Sequence, residues 1–172
     1  MKKFELTENF KICYGKKLFQ IKSLININGV VVAGETGGYI EKEENLAQIG
    51  NAWVYGNAQV YGNAQVYGNA LLSGDAQVSG NARVSGNARV SDNAEVSGNA
   101  RVSDNADILQ VTGLGTAHRT TTVYKTKDGI EIVCGCFRGG IETFKTQVVN
   151  TRSGKVRDEY LKFAELVDIY FG

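Results

Sequence analysis

From Asn51 onward the chain repeats itself every six residues, and so short a period leaves few folds open. The units read NAWVYG, NAQVYG, NAQVYG, NALLSG, DAQVSG, NARVSG, NARVSD, NAEVSG, NARVSD and NADILQ, ten in all, covering residues 51 to 110 without an insertion. Alanine holds the second position of each unit. An aliphatic residue follows two places later, as Val54, Val60, Val66, Leu72, Val78, Val84, Val90, Val96, Val102 and Ile108. Two apolar positions flanking one outward position is strand periodicity, because successive side chains point to opposite faces. The Gly-Asn or Asp-Asn pair between units tolerates left-handed backbone angles and supplies a corner. One such strand cannot bury its alanine and valine alone, so the units must stack on each other.

These Ala-x-Val-x-Gly-Asn units resemble those of left-handed parallel β-helix proteins, whose triangular coils use three hexapeptides per turn. The expected fold is mainly β: a left-handed parallel β-helix with an N-terminal β cap and a C-terminal ββαα module. Stacking three units per coil aligns outward residues into columns. One reads Trp53, Leu71, Arg89, Asp107; a second Gln59, Gln77, Glu95; a third Gln65, Arg83, Arg101. The residue after the aliphatic one is Tyr55, Tyr61 and Tyr67 in the first coil and serine at 73, 79, 85, 91, 97 and 103. Those tyrosines predict contact with another surface, either the N-terminal segment or a second subunit. The stacked Arg83 and Arg101 read as solvated side chains or as an anion site.

The flanks differ in composition. Residues 1–50 contain no repeat; Leu18 to Ile25 and Val30 to Val32 read as strands, and Glu35 to Glu41 as a turn entering another. This segment is expected to cap the first coil, which would otherwise expose a strand edge. The repeat is assigned residues 51–110 and the last segment 111–172. Arg119 to Lys127 and Ile130 to Phe137 flank Asp128-Gly129 as a hairpin. Helical spacing follows from Ile141 through Phe144, Val148 and Val149, breaks at Ser153-Gly154, and resumes with Val156, Tyr160, Phe163, Val167 and Tyr170.

Composition narrows the function. Nineteen basic against eighteen acidic residues leave a net charge of +1, no electrostatic case for DNA. No apolar run is long enough to span a bilayer. The first residues lack the apolar core of a signal peptide, and three cysteines are an odd number for a disulfide framework, so the expected location is the cytoplasm. Acyltransfer, which the β-helix resemblance implies as a possibility, needs a base, and His118 is the only histidine. Zinc-dependent hydration needs three imidazoles and is excluded by that count. Cys134 and Cys136, two apart on a strand, could complete a zinc site with His118 and Cys13, or pack as small apolar residues. No catalytic residue, metal ligand or cofactor is assigned.

The favoured ligand site is Arg138, Gly139 and Gly140, where a glycine pair entering a helix leaves N–H groups at the positive end of the dipole. Lys125 and Lys127 on the partner strand would add charge, and Tyr39 and Trp53 would stack on a base. The alternative is a plain structural turn capped by Glu142. The overall layout is similar to hexapeptide-repeat proteins of bacterial phages and prophages, on Gly37 to Glu41, the repeats, Tyr124 to Gly129 and Cys134 to Phe137. That resemblance implies a non-enzymatic sponge that sequesters a small anionic, nucleotide-like ligand such as a cyclic nucleotide immune signal. A homotrimer with ligand between subunits is the expected assembly. The alternative is a structural or protein-interaction module, with acyltransferase third.

Overall fold

The computed structural model describes residues 1–172. Three strands precede the repeats: β1 (Phe4–Cys13), β2 (Lys16–Ser23) and β3 (Thr36–Ile40). β1 and β2 form an antiparallel hairpin, and β2 pairs antiparallel with β3. Val30 to Val32, expected as a strand, is a turn with one bridge from Val31 to Ile27. The Asn28-Gly29 pair reverses the chain there, with Gly29 at φ 71°.

Nine two-residue strands follow: β4 (Trp53–Val54), β5 (Gln59–Val60), β6 (Gln65–Val66), β7 (Leu71–Leu72), β8 (Gln77–Val78), β9 (Arg83–Val84), β10 (Arg89–Val90), β11 (Glu95–Val96) and β12 (Arg101–Val102). They stack in parallel as three columns, β4-β7-β10, β6-β9-β12 and β3-β5-β8-β11, giving a β-solenoid of about four turns. Alanines 52 to 100 and the aliphatic residues between them are sealed in one continuous core. Alternating a methyl with a branched side chain fits a lumen too narrow for anything larger.

Corners are held by side chains as well as backbone. Asn69 donates its amide to Asn87 at 3.2 Å and accepts from Asn51 at 3.0 Å; Asn63 donates to Asn81 at 3.2 Å. Asp75 occupies the third corner and, with no amide hydrogens, continues no such ladder. Gly86 turns at φ 57°, where a Cβ would collide with the Ser103 carbonyl. Asp92 takes the same left-handed conformation at φ 54° without being glycine.

The parallel stack begins before the repeat does. Tyr39 pairs with Gln59, and Leu46 bridges Val66, so residues 39–50 already trace a coil. Asn45, in a single tight turn, donates to the Gly62 and Ala64 carbonyls at 3.2 and 2.9 Å and stands in for the missing repeat unit. The stack also ends early. The tenth unit leaves the solenoid: Asp107 accepts from the Ser103 hydroxyl at 2.6 Å and the Ser103 N–H at 2.9 Å. A tight turn over Asn105–Asp107 then redirects the chain, and Ile108 pairs with Tyr124. Asp107 therefore does not continue the Trp53 column.

The remaining residues form strands β13 (Ile108–Leu114), β14 (Arg119–Thr126), β15 (Gly129–Cys134) and β16 (Phe137–Gly139), then helices α1 (Ile141–Thr151) and α2 (Gly154–Phe171). The antiparallel sheet runs β13-β14-β15-β16. The helices cover it through a second core of Val123, Ile132, Phe144, Val148, Phe163, Ala164 and Val167. This module caps the last coil: Ala100 bridges Thr126, Tyr124 enters the solenoid core, and its hydroxyl accepts from the Ser97 N–H at 3.3 Å. The expected hairpin and both helices are present. The second strand, expected to run to Phe137, instead ends at Cys134, where Gly135 at φ 61° turns the chain into β16, so Cys134 and Cys136 do not share a strand. No helix is long and apolar enough to cross a membrane.

Candidate functional site

The residues expected to bind a ligand do not converge. Trp53 is fully buried beneath Phe4, whose ring crosses it edge-on at 6.5 Å, so it has no face for a base; the expectation of an outward Trp53 is corrected. The cause is β1, which lays Phe4 over the first coil. The face of Tyr39 is covered by Lys11, whose ammonium sits 3.8 Å from the ring centroid. Tyr55 donates its hydroxyl to the Val30 carbonyl at 2.6 Å, and Tyr61 packs against Tyr14. Two of the three outward tyrosines thus meet the N-terminal segment.

At the other end, Lys125 pairs with Asp107 at 2.9 Å and Lys127 lies 3.5 Å from Asp128. Asp107 is held down to about 2: burial opposes its charge, but hydrogen bonds from Ser103 and Lys125 outweigh that cost. Arg138 turns to the solenoid, donating to the Ser97 hydroxyl and lying 3.5 Å from Glu131 and 3.9 Å from Glu95. Gly139 pairs with Ile132 inside the sheet, and Gly140 caps α1 without help from any side chain. Glu142 bonds Lys145 at 3.0 Å instead of the helix start. The cations that pattern placed around the glycines are therefore spent on carboxylates or directed elsewhere. The four zinc candidates do not meet either, since Cys13 ends β1 while Cys134 ends β15.

What the module does build is a cleft of about 470 Å³ between the sheet and the two helices. Phe137, Phe144, Val148 and Val156 make its apolar floor. Its rim carries Arg119, the first residue of β14, and Arg152, between α1 and α2. Neither guanidinium has a carboxylate within 4.0 Å, unlike Arg138 and Arg157. Arg119 reaches across the β15–β16 turn because Gly135 has no side chain: a Cβ there would stand 2.8 Å from its Nη1. Cys134 and Cys136 flank that glycine; Thr121 donates to the Cys134 sulfur at 3.2 Å. Burial pushes the Tyr160 phenol up, reinforced by the neighbouring Cys134 thiol, which donates to its hydroxyl at 3.9 Å. His118 lies on the adjoining β13–β14 turn, exposed, with Nδ1 3.2 Å from the Gly113 carbonyl.

Two unneutralised guanidiniums over aromatic and aliphatic side chains can hold an anionic group while an apolar or planar part is buried. The size falls within the usual range for small-molecule sites, roughly 300–1,000 Å³. Sequence reasoning passed over both arginines. A signal existed for Arg152: the positions one helical turn away are Val148, Val149, Lys155 and Val156, none of them acidic.

The fold defines the class: a β-solenoid protein with two unrelated caps. More particularly, residues 58–74, 64–80, 76–92 and 82–98 each match the family model described as YdcK beta solenoid repeat, so the middle of the chain is similar to that repeat. No curated protein matches the chain.

Proposed function

We propose that this is a non-enzymatic, left-handed β-helix protein of the phage and prophage hexapeptide type that sequesters a small anionic, nucleotide-like ligand. The single observation that carries the reading is the pair Arg119 and Arg152, without carboxylate partners, on the rim of an apolar cleft. A phosphate or phosphodiester bonds the guanidiniums, and a base lies against the Phe137 and Phe144 edge. This moves the site from Arg138, which faces the solenoid, to the face of β16 that carries Phe137. Assembly as a homotrimer and a cytoplasmic location belong to the same reading.

The test is depletion: purified protein is mixed with cyclic dinucleotides, cyclic trinucleotides and ADP-ribose, filtered, and the free ligand quantified. Material released by heating is then checked for integrity. Depletion with intact recovery is expected, reduced at least tenfold in Arg119→Glu and Arg152→Glu. Recovery of a cleaved product makes the protein an enzyme.

A second reading, a protein-interaction module, is favoured by α2, where Leu166 and Ile169 are 45% and 81% exposed one helical turn apart. It predicts a protein partner and indifference to every nucleotide in that panel.

A further inference from the structure

The N-terminal hairpin and the C-terminal sheet overhang the same face of the solenoid, and a groove of about 280 Å³ lies between them. Its floor is the outward column of β8 and β11, with Gln77, Ser79, Glu95 and Ser97. One end is aromatic: Tyr14 and Tyr61 stand 6.1 Å apart at 36°. Tyr14 is presented by the Tyr14-Gly15 turn, both residues at positive φ (48° and 75°), the backbone that a two-residue hairpin requires. Arg138 closes the other end. Tyr61 and Ser97 are two coils apart, roughly 10 Å at the strand spacing of a sheet.

Charge selects the occupant. Arg138 lies between Glu95 and Glu131, at 3.9 and 3.5 Å, so an anion entering here would meet two carboxylates before one guanidinium. The groups left free are of another kind. The Gln77 amide nitrogen is open, its oxygen accepting from the Tyr61 hydroxyl at 3.4 Å. Glu95, although 3.9 Å from Arg138, keeps its carboxylate half exposed, and Tyr14 is 75% exposed. Two aromatic faces beside amide, hydroxyl and carboxylate groups match a ring with an apolar C–H face and a hydroxyl-bearing edge. The carboxylate and the amide each bond hydroxyl groups without needing a charged partner.

We propose that this groove binds an uncharged saccharide of two to three rings, at a site separate from the anion cleft. The groove is defined by residues of all three parts of the chain, so it exists only when both caps are docked. It stands whether or not the cleft holds a nucleotide.

The solenoid supplies its own controls. Tyr61→Ser writes into the column the residue already present at Ser79 and Ser97, and Glu95→Gln the residue present at Gln59 and Gln77. Neither should disturb folding, which a thermal melt checks. Full-length protein is titrated calorimetrically with maltotriose, mannotriose and N-acetylchitotriose, and with adenosine as the arm carrying a hydroxylated ring on a nucleoside. A neutral trisaccharide is expected to bind, at least tenfold more weakly in both variants and unchanged in Arg152→Glu. Three results overturn the proposal: no saccharide binds, adenosine binds in their place, or both variants bind as the parent does.

Discussion

The solenoid and the C-terminal module are both hydrophobic-core structures, but they specify themselves in opposite ways. In the solenoid one rule is applied again and again: alanine, outward residue, valine, outward residue, corner. Each inner coil stacks on the coil above and the coil below, so stability is spread over similar interfaces. In the module every core contact is particular. Phe144 touches Phe137, Tyr160 and Phe163 edge-on at 5.2 to 6.0 Å, and nothing repeats it. Redundancy gives a scaffold that tolerates outward change. Singularity gives a place where side chains can converge, and the cleft lies there.

The sharpest way to break the contrast is to remove Phe144. Phe144→Ala is expected to cost the module about 3–5 kcal/mol while residues 53–90 keep their amide protection in hydrogen exchange. If the solenoid loses protection together with the module, the two are one cooperative unit.

Next in size is Lys3, buried at the entry to β1 with a single side-chain acceptor, the Ala52 carbonyl at 2.8 Å. Burial pushes its ammonium down from 10.5 to about 8. Between those values the unfolded chain holds a proton that the folded chain has released, so stability rises with pH across that window. The gain from pH 7 to pH 10 should approach about 3 kcal/mol, and urea denaturation of Lys3→Met should show it flattened.

Gly86→Ala puts a Cβ against the Ser103 carbonyl in a left-handed corner, and is expected to cost about 1–3 kcal/mol in chemical denaturation. The smallest effect belongs to the asparagine ladder. Asn69→Ala removes two exposed amide bonds and should cost about 1 kcal/mol. A value near zero would assign the corners to backbone alone.

Legibility in the sequence follows the same division. Periodicity exposed the stacked strands, the columns pairing Gln59 with Gln77 and Arg83 with Arg101, and the inward alanines and valines. It also exposed the Asp128-Gly129 hairpin and both helices. Where periodicity lapses, reading failed for definite reasons. Asn45 replaces a repeat unit by hydrogen bonds that leave no sequence period, so the coil over residues 39–50 carries no periodic signal. Asp107 sits in a perfect repeat position, yet its carboxylate caps Ser103 and turns the chain away. The site suffered most. Arg138, Lys125 and Lys127 were grouped by nearness along two strands, but each lies beside an acidic side chain: Glu131 and Glu95, Asp107, and Asp128. Arg119 and Arg152 are distant in sequence and are joined only when α2 folds back on the sheet.

The most direct test sets those two arginines against two on the solenoid. Arg83 and Arg101 are adjacent in register and exposed, with no carboxylate within 4.0 Å, so they match the cleft pair in charge but lack an apolar floor. Depletion of the cyclic dinucleotide, cyclic trinucleotide and ADP-ribose panel is measured for Arg119→Glu/Arg152→Glu and for Arg83→Glu/Arg101→Glu. The cleft pair should abolish binding of whichever nucleotide the parent depletes, and the solenoid pair should leave it within about twofold, less than 0.5 kcal/mol. Loss in the solenoid pair with retention in the cleft pair would place the site on the repeat face and contradict the account.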